Sequence, residues 1–438
     1  MRSGENDHVN RAPARPLRVL LVGGSGFIGR RLDQALRDAG CEVTVAARRA
    51  APGVLQVNLA TDVRVEQWLP RVADIDVVIN AAGAFVERVG NALDALHTAG
   101  PAALFEAAAQ QGVRRAIQIS ALGAESGATR YFASKQAADR RLMELPVESV
   151  ILRPSLVFGP GGGSASVMLC VATMPLLVVP RLFSRPVQPV HIDDLAAAVV
   201  LLTMRPAVDM HAPLAVVGAR ACSMLEFLQL LRRQLGLAPA RVMQVPDALV
   251  RLGGSLPPLA RTGLLGPDAM KMLAAGSTAD PAGLASLLGR PPRDPGEFIS
   301  RDLAPALGAA ATLDWTLPLL RWSIALLWLL SGLFSLGIYP LEQSLALLAQ
   351  VGIPARLQPL LLYGASAMDI ALGIAVLAAG HRAVLWRMQI GLVLVYTVVI
   401  TIWLPAFWLH PFGPITKNIP LLAAFYMLQR LEARRWNT

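Results

Sequence analysis

The chain has 438 residues, more than one ordinary domain holds, so two or more units are expected. Hydrophobic residues make up 54% and charged residues 16%, high and low respectively for a purely soluble protein, and the apolar excess gathers after Trp315. The net charge of +10 comes mostly from arginines scattered or set near the ends of apolar runs; with no arginine stripe interleaved with aromatics, a nucleic-acid partner is set aside in favour of membrane flanks.

The opening "MRSGENDHVNRAPARP" is polar and has no apolar core, so it is not a signal peptide. It reads as a disordered lead-in over 1–16, ahead of a first domain that stays in the cytoplasm. Arg18–Val22 is a short apolar strand. A helix follows over Gly26–Ala39, with Ile28, Leu32, Ala35 and Leu36 on one face and Gly40 as its stop. "CEVTVAAR", "VLQVNL", "DVVINAAG", "RRAIQIS" and "VESVILRPS" are further strands, with helices near Pro101 and over Arg130–Glu144. Strands alternating with helices predict an α/β fold, a doubly wound parallel sheet covered on both faces.

From Pro160 to about Ala310 the pattern loosens into a small substrate-side subdomain. "GGGSASVMLCVATMPLLVV" reads as a buried loop–helix segment, and "PVHIDDLAAAVVLLT" starts a helix with Asp193 or Asp194 as N-cap. "GRPPRDPGE" reads as a linker. Four apolar segments follow, about Leu317–Tyr339, Leu360–Ala379, Ala383–Leu404 and Ile419–Leu431. The first three match a bilayer core of roughly 30 Å and the fourth needs flanking residues. The expected parts are a sheet domain over 17–300, a linker over 301–314 and an all-α four-helix transmembrane domain over 315–438. Cys41, Cys170 and Cys222 are far apart with no CxxC, which argues against a disulfide framework or a zinc site and fits a reducing compartment.

"LRVLLVGGSGFIGRRL" carries the first chemical signal. Gly24, Gly26 and Gly29 fit GxGxxG, and Gly23, Gly26 and Gly29 fit GxxGxxG. Either template is weak alone. Here it leaves a strand and opens a helix in the first βαβ unit, where free N–H groups and a partial positive charge suit a pyrophosphate. The bland alternative is a tight turn with no ligand. At the end of the second strand, an acidic residue would hold the ribose hydroxyl of NAD. Arg48 and Arg49 stand there instead, which favours the 2′-phosphate of NADP(H), with NAD(H) still open. Two solvated loop arginines are the alternative.

The second signal is "ISALGAESGATRYFASKQAADRRL". Tyr131 and Lys135 are four apart and share a helix face, and Ser120 ends the preceding strand. A lysine cation beside a phenol would lower its pKa from about 10 and fit it for proton exchange with a carbonyl or alcohol oxygen. An incidental tyrosine with a solvated lysine is the alternative.

With "GGSGFIG", "NAAG" (Asn80–Gly83), Ser120, "YFASK", "RPSLVFGP" (Arg153–Pro160) and "HIDDLA" (His191–Ala196), residues 17–300 resemble an extended or atypical short-chain dehydrogenase/reductase of the NAD(P)-dependent epimerase/dehydratase superfamily. The nearest flavour includes the NDUFA9-like subunits of respiratory complex I. The resemblance implies a Rossmann fold, Tyr131 as acid/base, Lys135 on the nicotinamide ribose and Ser120 polarising the substrate. It also implies cofactor contacts at Gly23, Ser25, Gly26, Phe27, Ile28, Arg48, Leu59, Ala81, Ala82, Gly83 and Pro154. Relatives of this atypical kind often bind NADPH without clear turnover, some having lost the tyrosine; this chain keeps Tyr131 and Lys135.

The last third resembles the DoxX-like four-span membrane family through "LLWLLSGLFSL", "MDIALG", "WLHPFGPITKNIPLLA" and the closing "LE". Basic residues concentrate in "HRAVLWR" and "RLEARRW", which places both termini in the cytoplasm at the inner membrane. Asp369 falls near the middle of the second span, with Arg321 or Arg387 as candidate partners; it is either a proton or ligand site or half of a structural ion pair.

Three functions are compatible with these features. The first is a membrane-tethered oxidoreductase acting on a lipophilic carbonyl or alcohol. The second is a non-catalytic NADPH-binding subunit of a membrane assembly, with a membrane-protein partner or a homo-oligomer. The third is a transporter-like protein with a sensory nucleotide domain, supported by Asp369 alone. Tyr131 and Lys135 favour the first, since binding alone does not require them.

Overall fold

The computed structural model describes residues 15–83, 94–208, 212–248, 267–378, 383–411 and 413–435. The lead-in expected over 1–16 lies almost wholly outside them. β1 (Arg18–Val22) alternates between two cores: Val19 and Leu21 face one, Leu20 and Val22 the other. α1 (Phe27–Asp38) covers the first core with Leu32 and Leu36.

The chain continues through β2 (Glu42–Ala47), β3 (Val54–Gln56), α2 (Leu69–Val72), β4 (Val77–Asn80), α3 (Gly100–Gln110), β5 (Arg115–Ile119), α4 (Arg130–Met143) and β6 (Glu148–Pro154). Then come β7 (Val157–Phe158), α5 (Gly163–Thr173), β8 (Leu176–Pro180), β9 (Pro186–Val187), β10 (Val190–His191), α6 (Ile192–Met204) and β11 (Leu214–Val216). Seven strands form one sheet in the order β11-β6-β5-β4-β1-β2-β3, every pair parallel. α1 and α6 pack on one face, and Trp68, Leu104 and Phe105 bury the other. Strand order reverses between β1 and β4, and such a reversal opens a crevice at the carboxyl edge.

A third core joins α5 to α7 (Met224–Gln234), where the Phe158, Phe227 and Phe298 rings lie 5.5–5.8 Å apart. The N-cap of α6 is His191 rather than Asp193 or Asp194: its side chain accepts from Asp193 N at 3.3 Å. The two aspartates lie in the first turn and hold arginines. Asp194 accepts from Arg290 at 2.6 Å and from Arg293 N at 2.8 Å; Asp193 accepts from Arg31 at 2.7 Å and from Arg293 at 2.8 Å. "GRPPRDPGE" is therefore a fixed strap, not a linker. The linker expected over 301–314 is mostly the start of the helix Ala304–Leu333, whose alanines and leucines favour helix over coil.

The chain divides into two units, 1–311 and 312–438. Among the described residues three helices are long and apolar enough to cross a membrane, over Ala304–Ile338, Gln358–Ala378 and Ala383–Trp403. The fourth expected span is a helix, Asn418–Arg435, but its second half carries Arg430, Glu432, Arg434 and Arg435 and falls short of that standard. A further helix, Leu341–Gln350, lies between the first two of the three long apolar helices in the chain.

Candidate active site

The glycine loop sits at the β1/β4 crevice because its residues are too small to be anything else there. Gly23 has φ +83°, and a Cβ on it would fall 2.6 Å from Ala82 N. A Cβ on Gly29 would fall 2.1 Å from the Gly23 carbonyl oxygen. One glycine lets the loop touch the end of β4 and the other lets α1 close on the loop. Gly26 caps α1 with no side-chain hydrogen bond, and Ser25 and Gly26 are exposed. A loop of this form fits a pyrophosphate: among the described residues, no side chain caps the helix start. Phe27 and Ile28 are half-buried, and the Phe27 ring packs over Gly159 and Gly162.

The other expected cofactor residues gather along the same edge. Arg48 and Arg49 are exposed just past β2. Ala81, Ala82 and Gly83 extend β4, with Ala81 N donating to Val22 O at 2.9 Å. Pro154 ends β6 and is buried. Leu59 departs from the group: its side chain is 3% exposed within the second core, so it offers a ligand only its backbone.

Thr129 caps α4 by accepting from Phe132 N at 3.1 Å, which sets Tyr131 in the first turn and Lys135 in the second. The Lys135 ammonium donates to the carbonyls of Ile119 at 3.0 Å and Ala82 at 3.4 Å, bridging the ends of β5 and β4. A Cβ on Gly83 would be 3.5 Å from Lys135 Nζ and 3.6 Å from His97 Nε2, so both polar tips converge on the space beside Gly83. Burial pushes Lys135 down to about 8, against the upward pull of Asp139.

Two expectations change here. Lys135 was expected to lower the Tyr131 pKa; instead burial, and then the Asp139 charge, push it up to about 12. The lysine is turned to backbone carbonyls, and Tyr131 is held as a proton-bearing phenol. Ser120 was expected to polarise substrate, yet it is buried and its hydroxyl donates to Asp139 Oδ2 at 2.8 Å. In this arrangement it positions Asp139.

Asp139 and His97 went unread in the sequence. Asp139 is fully buried, accepts from Arg153 Nε at 3.2 Å and Nη2 at 3.1 Å, and is pushed up first by burial. Its signal was available: Tyr131, Lys135 and Asp139 recur every four residues along one face of α4. His97 gave none, because it arrives from a separate turn, Ala95–Ala99. Its ring meets Tyr131 edge-on at 5.5 Å between centroids, and its Nδ1 is 3.1 Å from Ser134 Oγ. Ser134 spends its hydrogen on the Tyr131 carbonyl at 2.8 Å, so His97 Nδ1 is the donor and Nε2 the acceptor. Burial, then Lys135, push His97 down to about 3, so it is neutral. A cavity of about 510 Å³ opens beside the start of α1, lined by Phe27, Pro160, His191 and Phe298 among others.

Residues 19–218 match the NAD dependent epimerase/dehydratase family, and residues 325–426 match the DoxX-like family. The chain is 28% identical over 245 residues to a ceramide reductase of Caulobacter vibrioides, covering 54% of this chain and 76% of that one. It is 30% identical over 194 residues to NADH dehydrogenase (ubiquinone) 1 alpha subcomplex subunit 9 of Arabidopsis thaliana, covering 41% of this chain and 48% of that subunit, about half its length. The human epimerase family protein SDR39U1, solved with NADPH, superposes with a TM-score of 0.51 at 21% identity, over 68% of this chain and 98% of that one, and shares the fold.

Proposed function

We propose that this chain, an epimerase/dehydratase-family domain fused to a DoxX-like domain, is a membrane-anchored NADP(H)-dependent oxidoreductase for the carbonyl or alcohol of a lipid-dissolved substrate. The observation that carries the reading is Tyr131, a proton-bearing phenol in the first turn of α4, beside Lys135 and the open edge at Gly83. The Gly23–Ile28 loop would hold the pyrophosphate, Arg48 the 2′-phosphate, and Lys135 the ribose hydroxyls, while Ala81–Gly83 and Pro154 line the groove. The nicotinamide, when bound, supplies or accepts the hydride.

The phenol of Tyr131 then gives its proton to the substrate oxygen during reduction and recovers it during oxidation. Lys135 offers a nearby positive charge as the phenolate forms. Asp139, fixed by Ser120 and Arg153, keeps Lys135 protonated and opposes loss of the Tyr131 proton in the resting site. The substrate class is drawn from the apolar spans and from the ceramide reductase similarity, so a ceramide bearing a ketone is the first compound to test.

The test follows NADPH oxidation by the full chain in phospholipid vesicles containing that ketone, with wild type and Tyr131→Phe. Turnover by wild type and its loss in the variant, with NADPH binding intact, is the expected result. A second reading, a non-catalytic nucleotide-binding subunit, is favoured by the similarity to the plant subunit. It predicts NADPH binding, no turnover with any ketone, and indifference to Tyr131→Phe. We further propose four spans, an inner-membrane location and cytoplasmic termini. A cysteine placed by Gln343→Cys should then react with an impermeant reagent added outside intact cells, and its protection would reverse the orientation.

A further inference from the structure

Asp369 has no role in that reading. It lies on the helix Gln358–Ala378 and shares its buried face with Ser366, Gly373 and Val376, at the spacing of one helical stripe. That stripe meets the helix Ala304–Leu333 at close range. A Cβ on Gly332 would fall 2.7 Å from the Ser366 carbonyl oxygen, and one on Gly373 would fall 2.7 Å from Leu329. Asp369 therefore occupies a tight crossing of two apolar helices, 7% exposed.

Its Oδ2 accepts from Ser331 Oγ at 3.0 Å, and its Oδ1 has no hydrogen-bond partner among the described residues. Neither arginine considered as its partner pairs with it. Arg321 donates to Val376 O at 2.6 Å and approaches Glu432 at 3.7 Å, and Arg387 donates to Ala383 O of its own helix at 3.4 Å. Glu432 also accepts from the Trp386 indole at 2.8 Å. One hydroxyl does not compensate an ionised carboxylate in hydrocarbon, and keeping the proton costs less. A neutral acid held that way still has one oxygen left to pair.

We propose that Asp369 is a protonated carboxylic acid that forms a hydrogen-bonding site for the polar end of a neutral, bilayer-dissolved ligand, a hydroxyl, amide or carbonyl on an apolar chain. The site does not depend on the oxidoreductase reading. The full chain in phosphatidylcholine vesicles is treated with dicyclohexylcarbodiimide, a hydrophobic reagent for protonated carboxyls. The acid proton passes to one carbodiimide nitrogen and the carboxyl oxygen bonds to the central carbon, giving an O-acylisourea; its acyl group then leaves that oxygen for a nitrogen, and the stable N-acylurea is located by peptide mass mapping.

Labelling at Asp369 should exceed that at Glu432 by about tenfold or more, because Glu432 lies 3.7 Å from Arg321 and receives the Trp386 indole N–H, whereas Asp369 receives one hydroxyl. Dodecanol in the bilayer, a hydroxyl on an apolar chain, should reduce it at least twofold. The infrared C=O band of a carboxylic acid should be present in wild type and in Glu432→Gln and absent in Asp369→Asn. Labelling of Glu432 in place of Asp369, or no acid band lost in Asp369→Asn, overturns the protonated state. Labelling undiminished by dodecanol overturns the ligand site. The mapping uses wild-type chain, so a variant that fails to insert leaves the test standing.

Discussion

Asp139 at the edge of the sheet and Asp369 in the apolar bundle are both carboxyls shut away from solvent, and each leaves one oxygen without a hydrogen-bond partner among the described residues. Their surroundings differ. Asp139 has a hydroxyl from Ser120, two guanidinium N–H groups from Arg153 and the charge of Lys135 one turn earlier on α4. Among the described residues, Asp369 has the Ser331 hydroxyl alone. The sheet domain can bring a cation to a buried anion from another strand, because β6 runs beside β5 and carries Arg153 to the same edge. In the bundle, Arg321 is committed to Glu432 and a backbone carbonyl. A compensated charge serves as an electrostatic fixture, whereas an uncompensated one is better kept as an acid.

The largest expected effect tests what Asp139 and Lys135 are arranged around. Tyr131→Phe should lower turnover by about 10²–10⁴-fold, the usual value of a positioned general acid, with NADPH affinity unchanged in a parallel titration. Full activity would strip the sheet-edge cluster of its catalytic meaning and leave it a fold element.

Next in size is the pair of carboxamide substitutions. Asp139→Asn removes the anion that Arg153 is buried against and should cost about 3 kcal/mol, whereas Asp369→Asn, replacing a neutral acid by a near-isostere, should cost under about 0.5 kcal/mol. Denaturation of both variants of the full chain in detergent measures the difference. Equal costs would break the contrast between the two carboxyls.

His97 sharpens the same edge through pH. Its folded pKa, about 3, lies below its ordinary 6.5, so folding favours the neutral ring. That contribution is complete above the unfolded value and is lost as pH falls toward the folded one. Between pH 7 and pH 5 the loss should be about 2 kcal/mol, and His97→Gln should lack that slope. An identical slope in the variant would show that another group titrates there. The smallest effect belongs to the exposed Arg48. Arg48→Ala should weaken NADPH by about tenfold and leave NADH unchanged. Equal loss for both cofactors would remove the 2′-phosphate as its target.

Most of the sheet was legible because buried parallel strands are short apolar runs and covering helices repeat at 3.6 residues, both local patterns. Arg18–Val22, the glycine turn and the start of α4 at Arg130 all follow from such patterns. The cap of α6 was misread because two aspartates looked like caps, while the long-range pull of Arg31, Arg290 and Arg293 drew them elsewhere and left His191 to do it. "GRPPRDPGE" looked like a linker by composition, and its arginines are what tie it down.

The sequence by itself determined the strand–glycine–helix unit, the placing of Tyr131 and Lys135 on one face of α4, and the apolar helices of the last third. Each depends on residues within a few positions of one another. Tertiary structure alone decided that Ser120 turns to Asp139, that Lys135 bridges two strand ends, that His97 joins the site from another element, and that Arg321 takes Glu432 and leaves Asp369 to Ser331. Those choices depend on which strands are neighbours and how helices cross. A buried polar group pairs with whatever the packing brings within hydrogen-bonding distance, and spacing along the chain does not encode that.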